Sequence, residues 1–461
     1  MTRWINLRLD EVCSLITDGT HHSPQNGNSG SFKYVTAKNI RPWGLDITDI
    51  TYVDAKTHAE IYGRCPVEKE DVLYIKDGVT TGLAVVNTLD EPFSLLSSVA
   101  LLKPKRDIVE PRFLKYALNS PETFSAMTSN MAGSAIKRLV LRQIRAASIP
   151  VPPLTEQKRI ADKLDSLIAR IEACRDRLDR VSGIIKKFRQ SVLAAAVSGK
   201  LTEEWRTKEG IGNLDWKSCS VGDLITGIDA GLNVKCDERP PKPNERGLVK
   251  ISAVTWGTYD DDESKTLPLG AAVRESTKIL VGDFLISRAN TIELVGACVL
   301  VQATKRNIYL SDKVLRLVMP ESNKKWLLYW LRSSFGRSQI ESLASGNQLS
   351  MRNISQANIK AIQVLLPTED ERMEICRRVE KLMDFADRLE SRLSATRSKM
   401  DALTPAALGK AFRGELVPRD VNDECGCSLQ QVRGTVLSSV PHGMDGEVLS
   451  LRKCGLAIQE I

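Results

Sequence analysis

Apolar residues settle into an unbroken 4-3 spacing in two stretches of this chain. Ile160, Leu164, Leu167, Ile171, Cys174, Leu178, Val181, Ile185, Phe188 and Val192 form the first. Ile375, Val379, Leu382, Ala386, Leu389, Leu393, Thr396, Met400, Leu403 and Ala407 form the second, each 215 residues after its counterpart. A 4-3 alternation keeps one apolar edge turned towards a partner helix, which is the mark of a coiled coil. The simplest partner for each helix is the other copy, paired antiparallel. From Ile160 to Val192 such a helix rises roughly 50 Å at about 1.5 Å per residue.

The repetition extends beyond the helices. Trp4 and Trp216 each open a half, and Leu9-Asp10-Glu11-Val12 matches Val221-Gly222-Asp223-Leu224 at an offset of 212. Asp71-Val72-Leu73-Tyr74-Ile75-Lys76 matches Asp283-Phe284-Leu285-Ile286-Ser287-Arg288 at the same offset, and Gly133 matches Gly346 at 213. Short β-rich runs punctuated by Gly, Pro and Asn fill each half: Asp71 to Ile75, Leu83 to Val86 and Val99 to Leu102, then Phe284 to Ser287 and Ala297 to Val301. Short helices are predicted over Pro111 to Leu118 and Lys325 to Arg332. Two copies make a tandem duplication, not a solenoid.

The junctions are sharp. Ile149-Pro150-Val151-Pro152-Pro153-Leu154 cannot be helical. Thr155 follows as an expected N-cap, with Glu156 in the first turn, where the helix dipole favours an anion. In the second copy, Thr368 and Glu371 have the spacing of a capping box. Gly199 and Gly414, again 215 apart, suit C-caps.

Pro152-Pro153-Leu154-Thr155-Glu156-Gln157-Lys158-Arg159-Ile160, closing a β-rich domain and opening a long helix, resembles the specificity subunit of type I restriction–modification enzymes. The loop Thr17 to Pro24 and the segment Gly133 to Leu139 are similar to family segments too. The resemblance covers about residues 4 to 418. The second strap, Leu365-Leu366-Pro367-Thr368-Glu369-Asp370, departs from the fuller form. The fold class this implies is α+β: two α/β target-recognition domains separated by two long helices in an antiparallel coiled coil, with a pseudo-twofold internal repeat. The expected parts are recognition domain 1 (1–153), central helix (154–210), recognition domain 2 (211–366), C-terminal helix (367–420) and a tail of no assigned role (421–461). The resemblance also implies that each domain reads half of a bipartite site in double-stranded DNA, while the helices set the unread gap. Two modification (methyltransferase) subunits and restriction (translocase/nuclease) subunits are the implied partners. S-adenosylmethionine, ATP and Mg would be bound by those partners and not by this chain. One turn of B-DNA is about 34 Å, so two domains parted by such a rod would meet the duplex about a turn apart.

Composition changes this picture little. The 461 residues are 42% apolar and 26% charged, as in a globular protein. A net charge of +8, from 65 basic and 57 acidic residues, allows a nucleic-acid partner without demanding one. No basic-then-apolar leader opens the chain and no long apolar run is present, so a cytoplasmic protein without a membrane span is expected. Ten cysteines with no CxxC, and four histidines, argue against a zinc site and for reduced thiols.

Base edges are read by Arg or Lys at guanine and by Asn or Gln at adenine. The polar loops Asp18 to Ser31 and Gly231 to Arg246 occupy matching positions but differ in sequence, which suits two different half-sites. Candidates in the first domain are His21, His22, Lys38, Asn39, Arg41, Lys76, Lys137 and Arg138. In the second they are Lys235, Lys250, Arg288, Asn290, Asn347, Gln348 and Arg352. Lysines in such a set more often serve phosphates.

Catalysis by this chain is not expected. Gly199-Lys200 and Gly409-Lys410 lack the rest of a P-loop, and no Asn/Asp-Pro-Pro-aromatic run for a flipped adenine occurs. The competing reading is a non-catalytic coiled-coil scaffold whose globular domains bind proteins. It is kept open by acidic stretches such as Asp260-Asp261-Asp262-Glu263, and it differs by lacking the steep salt dependence of a DNA reader.

Overall fold

The computed structural model describes residues 4–129, 138–211, 216–348, 351–418 and 420. The chain divides into two compact units, one of residues up to Arg175 together with those from Arg397, the other from Asp176 to Thr396. Both are built by the same plan.

In the first unit, a four-stranded antiparallel sheet runs in the order Cys13–Asp18, Val99–Pro104, Val72–Ile75, Ala84–Val86. Its inner strand Val72–Ile75 is buried on both faces. Because successive side chains point to opposite sides, Val72 and Tyr74 enter one core while Leu73 and Ile75 enter another. The first core also takes Phe113 and Leu114 from the helix Pro111–Leu118, and Ile160, Leu164, Leu408 and Ala411 from the two long helices. The second lies under a smaller sheet ordered Thr51–Val53, Phe32–Val35, Ser94–Leu95. That sheet and its loops carry most of the first domain's candidate residues.

The second unit repeats this. Its four-stranded sheet is Gly227–Asp229, Val314–Val318, Phe284–Ser287, Cys298–Leu300, and its smaller sheet is Ser264–Thr266, Gly247–Val249, Ile308–Tyr309. Phe284 and Ile286 face the core that includes the long helices, and Leu285 faces the other. In each unit, the strand that opens the domain pairs with the strand that closes it: Ile5–Arg8 with Ser148–Val151, and Lys217–Ser220 with Gln363–Leu366.

The long helices span Leu154–Val197 and Glu369–Phe412, 44 residues each. The first begins at Leu154, one residue before the expected Thr155 cap, and Gln157 N–H donates to Pro153 O at 2.9 Å. Gln157 is fully buried and its side chain bonds the backbone of Glu110, Ile108 and Pro152, tying the helix start to the domain. Gly199 and Gly414 both take the left-handed conformation (φ 73° and 71°) that ends a helix and disfavours a Cβ.

Within the second unit, Ile185 packs with Ala386 and Leu393, flanked by Leu178, Phe188 and Leu389. Arg189 there spans to Asp387 and Glu390. Within the first unit, Arg175 reaches Asp401 at 3.2 Å, and Ile160 and Leu164 share a core with Leu408 and Ala411. Rising numbers on one helix meet falling numbers on the other, so the pairing is antiparallel. Ile160, Leu164, Ile171, Ile185, Ile375, Val379 and Leu393 are buried, and Leu167, Leu178, Leu382, Leu389 and Met400 are half-buried. Cys174, Val181, Thr396 and Leu403 are exposed, so the 4-3 edge does not stay covered along its whole length.

The end of the second helix buries Leu408 and leaves Ala407 half-covered. A straight helix drifts about 20° per heptad against a strict seven-residue repeat, roughly one residue over five heptads. That drift moves the buried edge from position 407 to 408. Among the described residues no helix is long and apolar enough to cross a membrane.

Candidate functional site

In the first domain, a 3-10 turn at Ala37–Asn39 follows the strand Phe32–Val35 and leads into the hairpin Ile40–Arg41/Gly44–Leu45. Thr36 caps the turn and Asn39 completes it. The Asn39 amide accepts from Thr36 N–H at 3.0 Å and donates to Asp46 O at 3.2 Å, so this buried side chain holds the loop and offers no free edge. Exposed Lys38 and Arg41 line an open cleft of about 720 Å³ with Tyr34, Ser98, Asp46 and Asn26. The Tyr34 hydroxyl, buried at this cleft, has no hydrogen-bond partner among the described residues, and burial pushes its pKa up to about 12.

Lys76 has a different setting. It is 2% exposed and pairs with Asp77 at 2.9 Å and Asp18 at 3.5 Å. Asp18 also faces His21 at 3.3 Å and Arg64 at 3.2 Å, and Asp77 faces Arg138 at 3.4 Å. The structure thus brings His21, Lys76 and Arg138 around two carboxylates, and only His21 and Arg138 are exposed. His22 is exposed beside them, its carbonyl accepting from the Thr20 hydroxyl at 3.1 Å. Lys137 lies outside the described residues.

In the second domain, five candidates share one three-stranded sheet or its edge. The strand Ala289–Asn290 pairs with Met351–Asn353, which pairs with Ser345–Gln348. Asn290 lies opposite Arg352, Arg288 precedes this strand, and Asn347 and Gln348 belong to the third strand. The Asp77–Arg138 bridge occupies the corresponding place in the first domain. The half-buried Arg288 and Arg352 make no side-chain ion pair or hydrogen bond among the described residues, and the Nε of each is buried without a partner. The Nε atoms are closed to an outside ligand, so an external acceptor would meet the remainder of each half-buried guanidinium, and without one the cation is costly. Asn290 donates to the Thr255 hydroxyl at 3.4 Å. Lys235 is exposed, whereas Lys250 is half-buried and bonds Glu238 O at 3.2 Å.

Asp260, Asp261 and Asp262 bring carboxylates within 4.8 Å of one another. Asp261 is engaged by the backbone N–H groups of Lys305 and Arg306, and Asp262 by the Arg306 side chain. These contacts account for the cluster as a loop clasp.

The expected residues did not include Trp43 and Trp256. They are the two exposed tryptophans of the seven in the chain, at 75% and 76%. They stand 213 residues apart, each followed by a glycine, and that recurrence is visible in the sequence.

Residues 1–181 match the family model described as the type I restriction modification DNA specificity domain. The type I restriction enzyme EcoKI specificity subunit of Escherichia coli (strain K12) is 29% identical over 423 residues, covering 90% of this chain and 89% of that protein. The StySPI specificity subunit of Salmonella potsdam is 27% identical over 90% of this chain and 89% of its own length. Two solved structures share the fold over 90% of this chain and 98% of theirs. A chain from a study of type I R-M system assembly and conformational transition has a TM-score of 0.67 at 19% identity, and an HsdS subunit from Thermoanaerobacter tengcongensis has 0.51 at 18%.

Proposed function

Because this chain belongs to the family of type I restriction–modification specificity subunits, we propose that it selects the DNA sequence on which such a complex acts. Each domain reads one half of a bipartite site, and the paired helices fix the spacer and dock the modification subunits. The chain itself is non-catalytic. Methylation with S-adenosylmethionine, and ATP- and Mg-dependent translocation and cleavage, fall to the modification and restriction subunits.

The observation that carries this reading is the repeated plan with unlike contents. One sheet–strap–helix unit occurs twice, while the polar side chains on the matching edges differ: Lys76, Asp77 and Arg138 in one, Arg288, Asn290 and Arg352 in the other. Shared frames with different donors are what two different half-sites require.

Single-molecule mapping of methylated adenines in the host, with and without this gene, tests the reading. Loss of one bipartite motif with a fixed gap is expected on deletion. An unchanged methylation pattern, from a strain in which the modification subunits are shown to be expressed, would favour the protein-binding scaffold instead.

A further inference from the structure

Trp43 and Trp256 occupy the same place in the two domains. Trp43 sits at the two-residue tip of the hairpin Ile40–Arg41/Gly44–Leu45, just after the 3-10 turn Ala37–Asn39. Trp256 comes two residues after the 3-10 turn Ile251–Val254. Each is followed by a glycine with positive φ, 137° at Gly44 and 90° at Gly257. A Cβ at either glycine would meet nothing within 4 Å, so backbone conformation and not crowding calls for glycine there. The other five tryptophans are buried or half-buried. A large indole left in water twice, at equivalent positions, is a standing cost that core packing does not explain.

We infer that Trp43 and Trp256 are matched DNA contacts, each indole packing on a sugar or the apolar face of a base within the half-site its own domain reads. This rests on the function proposed above and adds a contact to it. Hydrogen-bond donors suited to DNA lie close to each indole. Arg41 stands in the same hairpin two residues before Trp43, whose own recess holds Lys69, Arg112 and Lys115 beside Glu70, Glu110 and Asp165. Thr255, next to Trp256, accepts from Asn290, which lies opposite Arg352 in the sheet and two residues from Arg288. The guanidinium groups of half-buried Arg288 and Arg352, which have no protein acceptor among the described residues, favour an anionic or base-bearing occupant over an apolar protein face.

The division of labour also fits. Polar readers must differ between the two domains because the half-sites differ. Stacking or wedging is tolerant of sequence, since every base presents a π face, so one residue type can serve both.

The test uses the full chain assembled with its modification subunits, and a duplex bearing the bipartite motif from methylome mapping. Binding of that duplex by the parent complex is measured first, and its failure would overturn the proposed function itself. Trp43→Ala and Trp256→Ala are each expected to weaken binding at least about fivefold, with the Phe variants recovering much of the loss. Scrambling the half-site read by one domain should abolish the effect of that domain's Ala variant and leave the other's intact. Because both side chains are exposed, thermal melts are expected to be unchanged. Affinities within twofold of the parent for both Ala variants would overturn the inference. So would a loss of assembly with the modification subunits at unchanged affinity of the assembled fraction, which would assign the indoles to a protein contact.

Discussion

The indole N–H of Trp216 donates to the Glu371 carboxylate at 2.8 Å, tying the first residues of the second domain to the first turn of the helix that leaves it. Trp4 does the same to Glu156 at 3.3 Å in the first domain. Glu371, which sequence spacing places in a capping box, instead closes a buried cluster. Its carboxylate also accepts from Thr202 at 2.7 Å and from Arg206 at 2.5 Å, and both glutamate and arginine are nearly inaccessible. Glu371→Ala strands a buried guanidinium and is expected to cost about 3–5 kcal/mol. Trp216→Phe removes one charge-assisted bond and should cost about 1.5–3 kcal/mol. Hydrogen exchange over residues 202–211 and 366–376 reads both, and unchanged protection there in the Glu371→Ala protein would contradict the clasp.

The duplication exposes one strained residue. Glu70 has φ 69°, and 212 positions later the same turn uses Gly282 at φ 89°. A non-glycine residue in this region costs roughly 1–2 kcal/mol, partly offset by the extra unfolded-state freedom of glycine. The Glu70–Arg106 pair at 2.7 Å is half-exposed and contributes little. Glu70→Gly is therefore expected to stabilise the first unit by about 0.5 kcal/mol, and Gly282→Glu to destabilise the second by a similar amount. Thermal melts of the two variants should move in opposite directions; a shared sign would count against the strain.

His58 gives the first domain a pH dependence. Its ring stacks on Phe32 at 3.7 Å and 6°, and Nδ1 lies 3.0 Å from the Ser94 hydroxyl. Burial disfavours the imidazolium and holds the pKa below the ordinary histidine value. Between the lowered folded value and the ordinary one, the unfolded chain carries a proton that the folded chain does not. Stability therefore rises with pH through that window and falls as acidification passes below the ordinary histidine value. His58→Phe keeps a ring beside Phe32 and should flatten this slope in urea titrations. An equally steep slope in the variant would remove His58 as its source.

Much of the fold could be read from the chain because it is periodic. The 4-3 stripes, the proline straps and the glycine ends are local signals, and the helices lie within a few residues of where those signals place them. Lys76 and Asn39 were legible only as polar residues in promising loops. Lys76 is buried because Asp18, 58 positions earlier in the chain, comes beside it. Asn39 is occupied because Asp46 folds back over it. Trp43 and Trp256 recur in sequence, but whether an indole is covered is decided by tertiary packing. The exposure of Leu403 follows from helix geometry that a strict heptad count ignores.

Arg288 and Arg352 carry the sharpest prediction about reading. They lie with Asn290 on one sheet in the second domain and have no protein acceptor among the described residues. An arginine on a guanine edge specifies a base, and its loss relaxes one position at a cost of about 1–3 kcal/mol. An arginine on a phosphate leaves the motif intact and lowers the salt slope of binding by about one. In either case only the second domain's half-site is involved. Methylomes from strains carrying Arg288→Ala or Arg352→Ala should show degeneracy confined to one half of the bipartite motif, or an unchanged motif with weaker, less salt-dependent binding in vitro. Substituting exposed Lys38 or Arg41 should affect only the other half. Degeneracy spread over both halves, or no change in either assay, would remove this sheet as a reading surface and return its unpaired arginines to an unexplained cost.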